Sequence, residues 1–150
     1  PRASTEQRGS RPSLERSLNV SELIEAARKS RHQAWTPHST FAVGASLETA
    51  DGTVVSGCNI ENATLGLTMC AERVALLKAL SEGHRAFIRI AVVADTEAPT
   101  PPCGACRQLL WEFCGDLEIH LANLDRLLTS HRLAALLPLP FDQRIFRPDR

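Results

Sequence analysis

The chain has 150 residues, of which 43% are hydrophobic, enough for one ordinary domain with a continuous core and a single site. Lysine plus arginine and aspartate plus glutamate number 17 each, so no surplus of positive charge is available to neutralise a long phosphate backbone, and a nucleic-acid polymer is not expected as a partner. The longest apolar runs, Ile88 to Ala94 and Leu133 to Leu137, fall short of the ~20 residues that cross a bilayer, so no membrane is expected either.

In chain order, residues 1–18 read as a disordered N-terminal tail, because Pro1 to Arg16 is rich in Arg, Ser and Pro and lacks the apolar stretch of a secretion signal. A folded domain over 19–141 and a C-terminal tail over 142–150 follow. Asn19 and Glu22 have capping-box spacing, and Val20, Leu23, Ile24 and Ala27 recur on one face, which predicts a helix to about Gln33. Phe41 to Leu47 and Thr53 to Ser56 flank Asp51-Gly52, the dipeptide that accepts the positive φ of a hairpin turn. Cys70 to Glu82 predicts a second helix with Val74, Leu77 and Leu80 at helical spacing and Gly83 at its C-terminal cap.

Ile88 to Ala94 is β-branched and almost wholly apolar, as a strand covered on both faces requires, so helices must flank the sheet. Pro101-Pro102 breaks the chain, after which Gly104 to Phe113 predicts a third helix, Leu117 to Leu121 a strand, and Ser130 to Leu137 a short helix. The expected fold class is α/β, a three-layer α/β/α arrangement with a mixed, mostly buried central sheet of about five strands.

Chemistry concentrates at two helix starts. Cys103-Gly104-Ala105-Cys106 places two thiols three apart, where the glycine would let the backbone curl around one ion. Alone, this spacing suits a redox pair or half of a structural zinc knot equally well. Cys70-Ala71-Glu72 opens the second helix, so both clusters would present helix N-termini, whose partial positive charge favours thiolates. Three thiolates on Zn2+ would leave a fourth position for water, and Glu72, if it is more than a solvated helical residue, could carry the water proton. Arg73 is placed to offset the thiolate charge, with Arg107 a second candidate.

A metal ligand, one residue, a glutamate, and later Pro-Cys-x-x-Cys resembles the zinc deaminase signature. Here Cys70 stands where the common form has histidine, as in the three-cysteine branch of small cytidine deaminases. Phe41-Ala-Val-Gly-Ala45, Gly57-Cys-Asn-Ile-Glu-Asn-Ala63, Cys70-Ala-Glu-Arg73, Ser81-Glu-Gly83 and Pro102-Cys-Gly-Ala-Cys-Arg-Gln108 resemble that family's segments in the family's order. The resemblance covers about Ala34 to Phe141.

That resemblance implies one zinc per subunit on Cys70, Cys103 and Cys106, and hydrolytic attack at C4 of cytosine, with Glu72 protonating ring N3 and then the leaving amine. It implies Phe41 against the pyrimidine, Asn59 and Glu61 on the ribose hydroxyls, Ala71 at the substrate, and Arg73 beside the ligands. It further implies a cytoplasmic homotetramer in pyrimidine salvage, with a small nucleoside substrate and with Ala63 and Phe141 reaching a neighbouring subunit's site. The family commonly has tyrosine at Leu65 and near His38, whereas this chain has none, so a modified cytidine or related pyrimidine is an alternative substrate. A zinc-stabilised interaction module is the alternative from another class, and it would need Cys58 as a fourth ligand. A deaminase acting on a polynucleotide is a third, disfavoured by the charge balance. Otherwise Cys58 and Cys114 read as small buried residues, the five histidines as surface or core groups without ligand spacing, and Trp35 and Trp111 as packing residues.

Overall fold

A computed structural model describes residues 18–146. The tail expected over 1–18 therefore lies outside the described residues except for Leu18. The first helix, α1 (Val20–Arg31), opens with a capping box: Asn19 Oδ1 accepts from the Glu22 N–H at 2.8 Å, and the Asn19 N–H donates to the Glu22 carboxylate at 3.1 Å. Next, β1 (Val43–Thr49) and β2 (Val54–Cys58) pair antiparallel around a turn in which Gly52 has φ 85°, the value for which Asp-Gly was read as a hairpin signal.

Three further strands, β3 (Phe87–Ala94), β4 (Glu118–Ala122) and β5 (Leu127–Arg132), complete a five-stranded sheet of order β2-β1-β3-β4-β5. Only β3 and β4 are parallel, and the crossover that such a pair requires is supplied by α3 (Gly104–Cys114). Strand β5 is absent from the sequence reading, which places helix over Ser130 to Leu137. In fact Ser130, His131 and Arg132 continue the strand, and only Leu133–Leu136 forms a single helical turn, α4. An edge strand with one free side and polar residues carries little of the apolar patterning that marks a central strand.

The second helix, α2 (Ala71–Ser81), ends where expected, with Gly83 at φ 97°. Its buried face differs from the expected one: Ala71, Ala75, Leu76 and Ala79 are fully buried, whereas Leu77 is exposed. Gly57 of β2 explains the choice. A Cβ there would lie 2.5 Å from the Ala75 nitrogen and 2.9 Å from the Ala71 oxygen, so helix and strand touch backbone to backbone and small residues must face inward. Gly44 of β1 admits α1 in the same way, since its Cβ would sit 1.9 Å from the Ala27 oxygen.

Two apolar layers result. Leu23, Ile24 and Ala27 of α1 pack on Ala91, Val93 and Ala122 on one side of the sheet. On the other side, Leu76 and Leu110 of α2 and α3 join Leu47, Ile90, Val92, Ile119 and Leu121. This is the expected three-layer α/β/α fold, and it aligns the N-termini of α2 and α3 on the same side of the sheet. Residues 142–146 lie against α3: the Trp111 indole N–H donates to Asp142 at 3.1 Å, and the Gln143 amide to Glu112 at 3.2 Å.

Candidate active site at two helix N-termini

Cys70 caps α2 and Cys103 caps α3, both with extended backbone and neither side chain making a capping hydrogen bond, so both thiols can turn outward together. Cys106 lies one turn into α3 and is buried. The three sulfurs all lie within 4.8 Å of one another, and Cys70 Sγ is 3.8 Å from Cys103 Sγ. Zinc–sulfur bonds of about 2.3 Å at tetrahedral angles require sulfurs about 3.8 Å apart, so this donor set fits zinc. Among the described residues no fourth Cys, His, Asp or Glu joins the group. Three protein donors is the number catalytic zinc sites use, and the four-thiolate structural site imagined with Cys58 does not form. Cys58 is half-buried on β2 with its pKa raised by burial, and burial pushes the Cys114 thiol up to about 12.

The electrostatics separate the roles. Cys70 is lowered to about 5, first by its hydrogen bond from Cys106 and then by those from Arg73 and Cys103. The Cys106 thiol is raised for the reciprocal reason. Arg73 Nη2 is 3.7 Å from Cys70 Sγ and is steadied by donating to the Thr68 carbonyl at 2.8 Å, the position anticipated for it. Arg107 is turned away. Its guanidinium donates to the Pro102 and Leu136 carbonyls at 2.7 Å each, pinning the start of α3 to α4. Nor does Gly104 serve to curl the backbone, because it has no positive φ and a Cβ there would meet nothing within 4 Å. Glu72 is 5% exposed, and burial first, then the Cys70 thiolate, pushes its carboxyl up to about 7. A carboxyl with that pKa can both take and return a proton near neutrality.

The other candidate residues fall into distinct settings. Asn59 spans the start of β1: its Oδ1 accepts from the Val43 N–H at 2.9 Å, and its Nδ2 donates to the Phe41 carbonyl at 2.8 Å. Glu61 accepts from the backbone N–H groups of His38 at 2.8 Å and Ser39 at 3.1 Å, and from the Ser39 hydroxyl. The Ser39 hydroxyl bond is the largest cause of a lowered Glu61 pKa, so this carboxylate stays ionised. Phe41 is 42% exposed, while Ala71 is fully buried, with its carbonyl oxygen against Gly57 of β2. Ala63 and Phe141 are exposed, the latter meeting Phe146 edge-on at 5.6 Å. β-Bridges from Trp35 to Ile60 and from Ile60 to Met69 tie these loops to the base of α2. Ser39 and the carbonyls of Thr68, Pro102 and Leu136 escape a reading of the sequence, since none belongs to a spacing pattern and several act through the main chain.

The family model described as the cytidine and deoxycytidylate deaminase zinc-binding region matches residues 18–119. A cytidine deaminase of Sporosarcina psychrophila is 49% identical over 127 residues, covering 84% of this chain and 93% of that protein. One from Halalkalibacterium halodurans is 52% identical over 120 residues, covering 79% and 91%. The crystal structure of a cytidine deaminase from Burkholderia pseudomallei superposes with a TM-score of 0.80 at 46% identity, covering 83% of this chain and all of that one. Sequence, fold and thiolate geometry agree, and the chain belongs to the cytidine and deoxycytidylate deaminase family.

Proposed function

We propose that the chain hydrolyses cytidine and deoxycytidine to uridine and deoxyuridine, releasing ammonia, in pyrimidine salvage. The observation that carries this reading is a buried glutamate, Glu72, two residues from the first of three clustered cysteines, with burial raising its pKa to about 7. Cys70, Cys103 and Cys106 would hold one Zn2+ per subunit. When bound, zinc supplies Lewis acidity that brings a water molecule close to deprotonation at neutral pH. Glu72 would take that proton and deliver it to ring N3 as the oxygen adds at C4, then carry the remaining proton of that oxygen to the amine, so that the C4–N bond breaks, ammonia leaves and the C4 carbonyl forms. Arg73 offsets the thiolate charge, Phe41 packs on the pyrimidine, Asn59 and Glu61 face the sugar, and Ala71 forms part of the floor.

Exposed Trp35, Phe41, Ile60, Leu65, Leu67 and Phe141 support a homotetramer, in which Ala63 and Phe141 would line a neighbour's site, because so many large apolar side chains are seldom left in water. The five cysteines are free, in keeping with a reducing compartment such as the cytoplasm. Among the described residues no helix is long and apolar enough to cross a membrane. The test follows the cytosine ultraviolet band with the natural protein and a Glu72→Ala variant of equal zinc content. Loss of the band with the natural protein alone is expected; activity in both, or in neither, refutes the assignment.

A further inference from the structure

We propose that Ser39 is a positioning residue that couples sugar recognition to base recognition. This rests on the functional reading above, in which Glu61 meets the sugar and Phe41 the base. The Ser39 hydroxyl makes two bonds at once: it donates to Glu61 Oε1 and accepts from the Phe41 N–H at 3.0 Å. The backbone N–H groups of Ser39 and His38 occupy Glu61 Oε2. A carboxylate offers about four acceptor directions, so residues 38–39 take three and leave one, on Oε1, for a ligand hydroxyl. Glu61 is therefore aimed, and what aims it is the same hydroxyl that fixes the main chain of Phe41.

Burial does not hold this loop in place, since His38, Ser39, Thr40 and Phe41 are all exposed. Yet it contains a strained residue. Thr40 has φ 57°, a left-handed conformation that β-branched residues avoid, with its hydroxyl donating to the Ser39 carbonyl at 2.6 Å and its N–H to the Thr36 carbonyl at 3.0 Å. The turn at Thr40 is what lets Ser39 and Phe41 meet around one hydroxyl. Strain in an exposed loop with little packing gain marks a geometry kept for a ligand. Asn59 holds the far end through the Phe41 carbonyl and Val43 N–H, so the loop is fastened on both sides of the strained residue.

The experiment compares kcat/KM for cytidine with that for 2′,3′-dideoxycytidine, which lacks the 2′ and 3′ sugar hydroxyls, in the zinc-loaded natural protein, Ser39→Ala and Ser39→Thr. Thermal unfolding and zinc content are measured on each. In Ser39→Ala, cytidine should lose about tenfold or more, the effect of one charge-assisted hydrogen bond, mainly through KM. Dideoxycytidine should lose less, so the ratio of the two narrows, and Ser39→Thr, which keeps the hydroxyl, should restore it. An unchanged ratio in a folded, zinc-replete Ser39→Ala protein overturns the proposal, as does an equal loss on both substrates. If the natural protein acts on neither nucleoside, the functional reading itself fails and this one with it.

Discussion

Replacing Gly57 with alanine should disturb the site from the strand behind it, by pressing on the backbone of α2 and altering no metal-holding or proton-carrying side chain. The added Cβ would stand 2.5 Å from the Ala75 nitrogen, and ordinary contact begins near 3.4 Å, so α2 must retreat by about 0.9 Å (3.4 minus 2.5). Of the three obstructing atoms, the Ala75 nitrogen and the Ala71 oxygen belong to helix backbone and the third is the Val74 Cβ, fixed to it, so none can rotate aside. Overpacking of this kind costs ~1–3 kcal/mol, which for a chain of this size lowers Tm by roughly 3–9 °C. Because α2 carries Cys70 at its cap and Glu72 in its first turn, the shift also separates them from Cys103 and Cys106 on α3. A displacement near 1 Å can reduce rate by about 10²-fold. The assay is thermal unfolding by circular dichroism with kcat/KM for cytidine at measured zinc content, beside Gly66→Ala, whose Cβ would meet nothing within 4 Å. If Gly57→Ala matches Gly66→Ala in both Tm and rate, the backbone-contact argument is wrong.

Two further outcomes are expected. Chelation should abolish cytidine turnover and zinc should restore it, while far-ultraviolet circular dichroism is largely kept, because α2 and α3 are held by the apolar layer around Leu76 and Leu110; global unfolding on chelation would favour a structural metal instead. His120 is 3% exposed, bonded through Nδ1 to the Ser130 hydroxyl at 2.8 Å, with Nε2 3.2 Å from the Glu118 carboxylate, and burial lowers its pKa. The unfolded chain then binds the proton more readily, so stability is complete above the ordinary histidine value of about 6.5 and falls as pH drops through it, by at most ~1.4 kcal/mol per pH unit. Urea unfolding of the natural protein and His120→Asn at pH 7.5 and 5.5 should show a shallower slope in the variant; equal slopes would remove His120 from the account.

Much of the fold is legible in the sequence because its signals act over a few residues. The capping box at Asn19 and Glu22, the Asp51-Gly52 turn and Gly83 at the end of α2 all lie near where they were read, since each is settled by hydrogen bonds or φ values within one turn of chain. The pairing of Cys103 with Cys106 is local in the same sense, as residues three apart share a helix face. Glu72 stands out by its spacing from Cys70, but its raised pKa depends on burial that the fold alone creates.

Tertiary structure decided the rest. That Cys70 meets Cys103 across 33 residues follows from two helices docking on one sheet face, a consequence of the shared apolar layer and not of any local pattern. The inward face of α2 was set by Gly57 on another element, which brings Ala71, Ala75 and the Val74 Cβ against the strand and leaves Leu77 exposed. The charge at Arg107 was drawn away from the thiolates by two carbonyls, one of them 29 residues along the chain. Strand β5 exists because β4 offers it a free edge. Glu61 found its partners 22 and 23 residues upstream, through main-chain groups that every residue possesses and no sequence pattern announces.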